Sequence, residues 1–390
     1  MKTPLSDRTR LISGATRRGQ GRRPVNPPIE RASTMLSDSC AVMNDPADGP
    51  TYGIEGTSAA RALRSAIADL EGGTEAWLVS SGLAAVTIPI MTLTRPGDEV
   101  IASDAVYGPS RRFLSRWLEP RGVSVRYHRA DAGVDEIVAM FGERTKLLLI
   151  EAPASLTFEM TDVPALAAAA RAHGVKTVMD NTWGSGLAFR PLAHGVDVSI
   201  QAVTKYISGH SDVLIGSMAV TDDSIGRALQ GSLDDMGWHV SPDDAWLSLR
   251  GIRTLPLRYA EQARSALTVA EWLQSRPEVA SVLYPPLPGA AGHDLWKRDF
   301  TGAASLFGLV MKGGDDASAH AFLDSLSLFG LGYSWGGFES LATHETSQLT
   351  RRQQPPVLAG ELLRFHVGLE DPTDLIADLE VGLAAWSAAL

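Results

Sequence analysis

The chain holds one cysteine, Cys40, among its 390 residues. No intrachain disulfide can form, and a reducing compartment fits. No histidine pattern points at the thiol, so Cys40 reads as a packed or surface group rather than a nucleophile. Long apolar runs are missing too. The longest, "LAAVTIPIMTL" at 83–93, is too short and too broken by Thr and Pro to span a bilayer. No apolar N-terminal stretch resembles a signal peptide, and Asp7 is awkward in a transit peptide. A cytoplasmic chain with no membrane partner is expected. Positive charge is scarce: 35 Lys and Arg face 45 Asp and Glu, for a formal net charge of −10. That balance argues against nucleic acid as the main partner. The exception is the basic cluster Arg17, Arg18, Arg22 and Arg23. It reads as a solvated arm, because no basic surface continues beyond it. No HExxH, Cys-rich or carboxylate cluster signals a metal.

What is present is apolar residue in quantity, 44% of the chain, enough for extensive cores. At this length two domains, or one large and one small, are expected. Residues 1–55 lack periodicity and are rich in Pro, Arg, Ser and Asp, so they read as an arm. From Ser58 the pattern is regular. "SAARALRSAIADLEGG" has helical spacing, with Ser58 as the cap and two glycines as the stop. Short apolar, β-rich runs follow: "AWLVSSG", "DEVIASD", "VSVRYH", "TKLLLIEAP", "KTVMDNT" and "DVSIQAVTK". Helical segments lie between several of them, such as "VPALAAAARAHG", which Gly174 ends after His173. Strand–helix alternation predicts a mainly parallel sheet covered on both faces. Past Arg250-Gly251 the character changes to a long amphipathic helix, a Pro-rich connection and a smaller α/β region. Boundaries at 56–251 and 252–390 are expected.

Three strand ends carry the chemistry. "WLVSSGLAAV" turns from strand to helix through Ser80, Ser81 and Gly82, offering backbone N–H groups to an anion. "TVMDNTWG" ends a strand at Asp180, and "AVTKYISGH" places Lys205 just beyond another. Singly, these are a common βα turn, a cap and a solvated amine. Ligands of parallel sheets, however, bind beyond the carboxyl ends of the strands, where all three would meet. Pyridoxal phosphate needs that set: a phosphate cradle, an acid for the pyridine nitrogen and an amine for the Schiff base. A lysine moved out of water beside other cations has a lowered pKa, which frees the neutral amine.

Seven ordered segments carry a wider resemblance: "YGIEGT" (52–57), "SSGLAAV" (80–86), "DNTW" (180–183), "SIQAVTKYISGHSDVLIG" (199–216), "GHDLWKRDFTG" (292–302), "YSWGGFES" (333–340) and "LLRFHVGLED" (362–371). With them the chain resembles the cysteine/methionine-metabolism family of pyridoxal-phosphate enzymes, from about Thr9 to the C-terminal helix. The lysine segment and "YSWGGFES" favour the β-lyase branch. The resemblance implies the type I, aspartate aminotransferase-like fold, with a large, mostly parallel-sheet domain and a smaller C-terminal α/β domain. It implies that Lys205 is the Schiff-base lysine and proton shuttle, and that Asp180 pairs with the pyridine nitrogen. Tyr107 is implied to stack on the cofactor ring. Backbone N–H groups at Ser81, Gly82 and Leu83, with the Thr204 hydroxyl, are implied to hold the phosphate. Arg364 is the implied α-carboxylate binder, its alternative being an ion pair with Glu361 or Asp371. Ser334 and Trp335 would shape the same pocket. Tyr52 would reach the phosphate of a neighbouring subunit, implying a homotetramer built as a dimer of dimers. His210 reads as a satisfied structural histidine.

Carbon–sulfur β-elimination on cystathionine or a related thioether amino acid is the implied reaction. γ-Elimination, γ-replacement and cysteine desulfhydration stay open within the family. A silent pyridoxal-phosphate-binding regulator is the alternative of another class. Two departures bear on substrate and cofactor. Where the family pattern carries a phosphate-binding arginine after the tyrosine, this chain has Ile54 and then Glu55, with Arg61 as a candidate substitute. Where related β-lyases carry an acid after Tyr107, near the far end of the substrate, Arg111 and Arg112 follow.

Overall fold

The structure is a computed structural model describing residues 6–13, 22, 24–45, 47 and 49–390. Of the basic cluster only Arg22 falls among them; Arg17, Arg18 and Arg23 lie outside the described residues. Seven strands build the first sheet: β1 (Glu75–Val79), β2 (Glu99–Ser103), β3 (Ser124–His128), β4 (Thr145–Glu151), β5 (Lys176–Asp180), β6 (Val198–Gln201) and β7 (Gly216–Val220). Their order is β1-β7-β6-β5-β4-β2-β3. Pairs from β6 through β3 are parallel, while β7 runs antiparallel to both its neighbours. The parallel strands are apolar because helices cover both faces.

The six expected strands are present, and β7 is the addition. Its "GSMAV" opens on two residues of low β propensity, which hid it. Gly216 has a packing reason: a Cβ there would lie 2.2 Å from the Ser81 carbonyl oxygen. The helix Ser58–Glu71 ends at Gly72 in the left-handed region, as its glycines predict. Its cap differs from expectation. Thr57 holds the N-cap position without a side-chain bond, and Ser58 is the first helical residue.

Five strands form a second sheet, in the order β10-β11-β12-β9-β8. They are β8 (Val279–Leu283), β9 (Leu306–Met311), β10 (Gly330–Leu331), β11 (Leu341–His344) and β12 (Leu362–His366). The expected amphipathic helix, Leu255–Gln274, lies between the sheets in sequence. One hydrophobic cluster runs from Ile101, Leu148 and Met179 of the first sheet to Phe307 and Phe365 of the second. A separate cluster fills the other face of the first sheet, around Trp77, Val100, Ile200 and Met218. The stretch read as an arm is partly anchored to this body. Its helix Asp7–Ser13 buries Leu11, and Arg10 pairs with Asp69 at 2.9 Å. No helix among the described residues is long and apolar enough to cross a membrane.

Beneath the carboxyl ends of β5 and β6 lies a buried acid, Glu71. Ser199 donates to it at 2.7 Å, Asn181 at 3.2 Å, and Gln201 also donates. Burial nevertheless pushes its carboxyl up from 4.5 to about 7. The folded protein therefore holds this proton more tightly than the unfolded chain does. The stabilisation is full below the unfolded value and fades as pH rises through about 7. Its ceiling is about 3 kcal/mol. Glu71→Gln, which imitates the protonated form, is expected to flatten the fall in urea midpoint between acid and neutral pH. An unchanged slope would remove Glu71 as its source.

Candidate active site

The helix Gly82–Leu93 begins one residue after Ser81, whose hydroxyl caps it by accepting from Ala84 N at 3.1 Å. Gly82 is required there. A Cβ would lie 2.5 Å from the Cβ of Ala202, the residue that leads into the lysine turn. The first-turn N–H groups of Gly82 and Leu83 thus stand beside the Thr204-Lys205 segment, and all four residues line one cavity of about 240 Å³.

Asp180 ends β5 and Glu151 ends β4, and the parallel register sets them side by side. Asp180 Oδ1 accepts from Thr182 N at 3.0 Å and Thr182 Oγ1 at 2.5 Å. Its Oδ2 has no hydrogen bond among the described residues. Glu151 Oε2 accepts from Tyr107 N at 2.8 Å. Burial raises both carboxyls, and the charge of Asp180 raises Glu151 further. Asp180 has two bonds from Thr182 and faces Lys205, so it keeps the negative charge while Glu151 holds the proton.

Lys205 lies four residues beyond the end of β6, in a turn held by its own N–H to Ala202 O at 3.0 Å. Its Nζ donates to Ser334 Oγ at 2.6 Å and stands 5.2 Å from the centre of the Trp335 ring. Burial first, and the Arg364 cation second, lower its pKa from 10.5 to about 8 against the pull of Asp180. Ser334, Trp335 and Gly336 belong to a loop pressed onto the lysine backbone. A Cβ on Gly336 would meet Tyr206 N at 2.8 Å and Lys205 C at 2.9 Å. Gly336 also has a φ of +82°, where glycine alone is unstrained.

Arg364 comes from the other sheet, at the centre of β12. Its Nη1 stands 3.4 Å from Glu345 Oε1, a fully buried carboxylate that also accepts from Thr343 Oγ1 at 2.7 Å. This corrects the expected alternative partners: Glu361 instead binds His344 at 2.7 Å, and Asp371 caps the last helix. Tyr107 is 44% exposed, and its ring borders the cavity with Trp335 and Arg364. The Thr204 hydroxyl lines it too but is already bonded to Ile215, accepting from N at 3.0 Å and donating to O at 3.2 Å.

The structure therefore gathers Ser81, Gly82, Leu83, Tyr107, Asp180, Thr204, Lys205, Trp335 and Arg364 around one cavity, with Ser334 bonded to the lysine. Tyr52 stays outside, 51% exposed at the surface. His210 is exposed, with Nδ1 bonded to Ser208 O at 2.6 Å. Cys40 is an exposed thiol. Glu151, Thr182 and Glu345 were missed in the sequence. A signal existed for Glu151, since "TKLLLIE" and "KTVMD" both end in an acid. A cluster that local motifs could not reveal also forms away from the site: Asp316, His344 and Glu361 bring ligand atoms within 4.8 Å of one another.

The family described as "Cys/Met metabolism PLP-dependent enzyme" matches residues 8–384. The chain belongs to that family. It is 42% identical to a cystathionine β-lyase of Bordetella avium over 371 residues, 93% of each chain. It is 41% identical to the cystathionine β-lyase of Escherichia coli K12, across 92% of this chain and 93% of that one. Among solved structures, a cystathionine γ-synthase of Xanthomonas oryzae in complex with aminoacrylate and cysteine superposes with a TM-score of 0.90 at 30% identity, covering all of both chains. The protein is a pyridoxal-phosphate enzyme of the type I fold. The cavity suits that cofactor: Gly82 lets the helix start press against the lysine turn with its first N–H groups beside the cavity, Asp180 keeps an unbonded oxygen, and the amine of Lys205 has its pKa lowered to about 8.

Capture of the cofactor needs that neutral amine, so uptake by stripped protein is expected to rise with pH and level off above about 8. Arg364→Gln removes a cation that depresses the lysine, and the midpoint should move to higher pH, read from the cofactor's absorption. A midpoint that stays in place would show that Arg364 does not set this pKa.

Proposed function

We propose that the protein cleaves the Cβ–S bond of L-cystathionine or a closely related cysteine thioether. The observation that carries this reading is the meeting of Lys205, Asp180 and Arg364 around one cavity. When bound, pyridoxal phosphate supplies the electron sink that stabilises negative charge at Cα. The N–H groups of Gly82 and Leu83, the turn at Ser81 and the Thr204 hydroxyl would hold its phosphate, the last after turning from Ile215. Asp180 would hold the proton on its pyridine nitrogen, helped by a neutral Glu151. Tyr107 would pack against its ring.

Arg364, beside the Glu345 carboxylate, would grip the substrate α-carboxylate through two parallel bonds. Lys205 Nζ takes the Cα proton, with Ser334 Oγ restraining the amine between transfers. The Cβ–S electron pair leaves on sulfur, which is protonated to the free thiol. One water then releases the remaining three carbons as pyruvate and the nitrogen as ammonia. With cystathionine the thiol is homocysteine.

Tyr52 would complete a partner's phosphate site, and its exposure in the single chain supports a dimer, paired into a homotetramer. A cytoplasmic location suits the lone cysteine. The Glu55 carboxylate accepts from Thr51 N and Tyr52 N, both at 3.1 Å, so it organises its own turn where a phosphate-binding cation is lacking. Arg61 donates to Gly56 O at 3.2 Å, within the same turn.

Loaded protein mixed with L-cystathionine is expected to yield pyruvate and homocysteine, and Lys205→Ala to lose at least about a hundredfold in rate. Cysteine and 2-oxobutanoate in their place would overturn the β-elimination reading. Ile54→Arg is expected to tighten cofactor retention by about tenfold, the worth of a charge-assisted bond. Equal retention after gel filtration would show that the position no longer faces the phosphate.

A further inference from the structure

The cavity around Lys205 continues outward. A second cavity of about 430 Å³ shares Tyr107, Lys205, Trp335 and Arg364 with the first. Its outer wall is formed in part by Arg111, Arg112, Arg351 and Arg352, and among the described residues the only carboxylate lining it is Asp104. This is the reverse of the chain as a whole, whose formal charge is −10.

Each charge can be followed to its partner. Arg111 is held by Asp104 at 2.6 Å and lies 4.0 Å over the Tyr127 ring, so it is spent on the fold. Asp104 is buried, and both its oxygens are engaged: Oδ1 also accepts from Gln353 N at 3.0 Å and Oδ2 from Gln354 N at 2.8 Å. Arg352 stands 3.4 Å from Glu159 and donates to Ser155 O at 2.9 Å. Arg364 has Glu345. Two guanidiniums remain without a carboxylate among the described residues. Arg351 donates only to Gln348 Oε1, at 2.9 Å, and the Arg112 side chain has no hydrogen-bond or ion-pair partner there. Arg351 is packed close to the turn after Tyr107, since a Cβ on Gly108 would lie 3.0 Å from its Nη1.

A substrate fixed by Arg364 at its α-carboxylate would extend its leaving half into this outer cavity. Two unpaired guanidiniums there favour an anion. Among the described residues of this chain an ammonium finds no free carboxylate there and meets like charge. The far end of L-cystathionine bears both groups, so the cavity matches one and opposes the other.

We propose that this outer cavity is a distal-anion subsite, in which Arg112 and Arg351 favour cysteine thioethers whose leaving thiol ends in a carboxylate over those that end in an ammonium, so that L-cystathionine is a substrate but a thioether with the acid alone binds more tightly. The chemistry rests on the β-elimination reading, while the binding preference does not. Three ligands separate the two ideas: S-(3-carboxypropyl)-L-cysteine, S-(3-aminopropyl)-L-cysteine and S-butyl-L-cysteine. They present an acid, an amine or neither at the far end. Their affinities are measured on cofactor-loaded Lys205→Ala, and pyruvate release is followed on the unaltered holoenzyme. The acid is expected to bind about tenfold more tightly than the amine, with the butyl compound between them. Adding Arg112→Gln and Arg351→Gln should reduce that ratio to about twofold. Equal affinity of acid and amine, or a ratio unmoved by the two substitutions, overturns the subsite. Should the affinity order hold while no ligand releases pyruvate, the subsite stands and the elimination reading falls.

Discussion

The site depends on enclosing ionisable groups together at the ends of neighbouring strands. Lys205, Asp180 and Glu151 are each costly to desolvate alone. Set together, they share out their protons differently from the way they would in water. The amine drops to about 8, Glu151 goes neutral, and Asp180 keeps a charge supported by Thr182. Glycines make the enclosure tight. Gly82 admits Ala202, Gly216 admits the Ser81 carbonyl, and Gly336 brings the Trp335 loop onto the lysine backbone. Any side chain at these positions would push the walls apart.

Below this layer the support is polar as well as apolar. Glu71 ties the end of one helix to Asn181 and Gln201, which follow and end the strands that carry the site. On the same side, a single hydrophobic cluster, which takes in Leu63, Ile67 and Leu70 of that helix, joins the two sheets. Arg364 and Lys205 therefore keep a fixed relation although some 160 residues separate them in sequence.

Much of this could be read from the chain. The strands that end in Asp180 and precede Lys205 are short β-branched runs closed by turn residues, a local pattern that needs no tertiary knowledge. The Ser81-Gly82 turn is likewise local. Arg364 is different: within "LLRFH" nothing separates a ligand-binding arginine from an ion-paired one, and only the family resemblance singled it out. Its partner Glu345 was out of reach, since the contact depends on pairing β11 with β12. Glu151 needed the register of β4 against β5. β7 was hidden because its glycine and serine serve close packing rather than strand propensity. Arg111 shows the opposite error: the family resemblance placed it near the far end of the substrate, but burial beside Asp104 makes it part of the wall.

The two anchors of the site come from different sheets, the amine of Lys205 from the turn after β6 and the guanidinium of Arg364 from β12. Trp335 and Tyr107 flank the cavity between them. Under the proposed roles, an amino acid whose carboxylate meets Arg364, whose amine meets the cofactor and whose Cα hydrogen faces Lys205 has its side chain directed toward one wall alone. Its mirror image satisfies the same anchors only by turning that substituent elsewhere. Handedness is thus written into the seam between the two sheets, before any atom of the side chain is recognised.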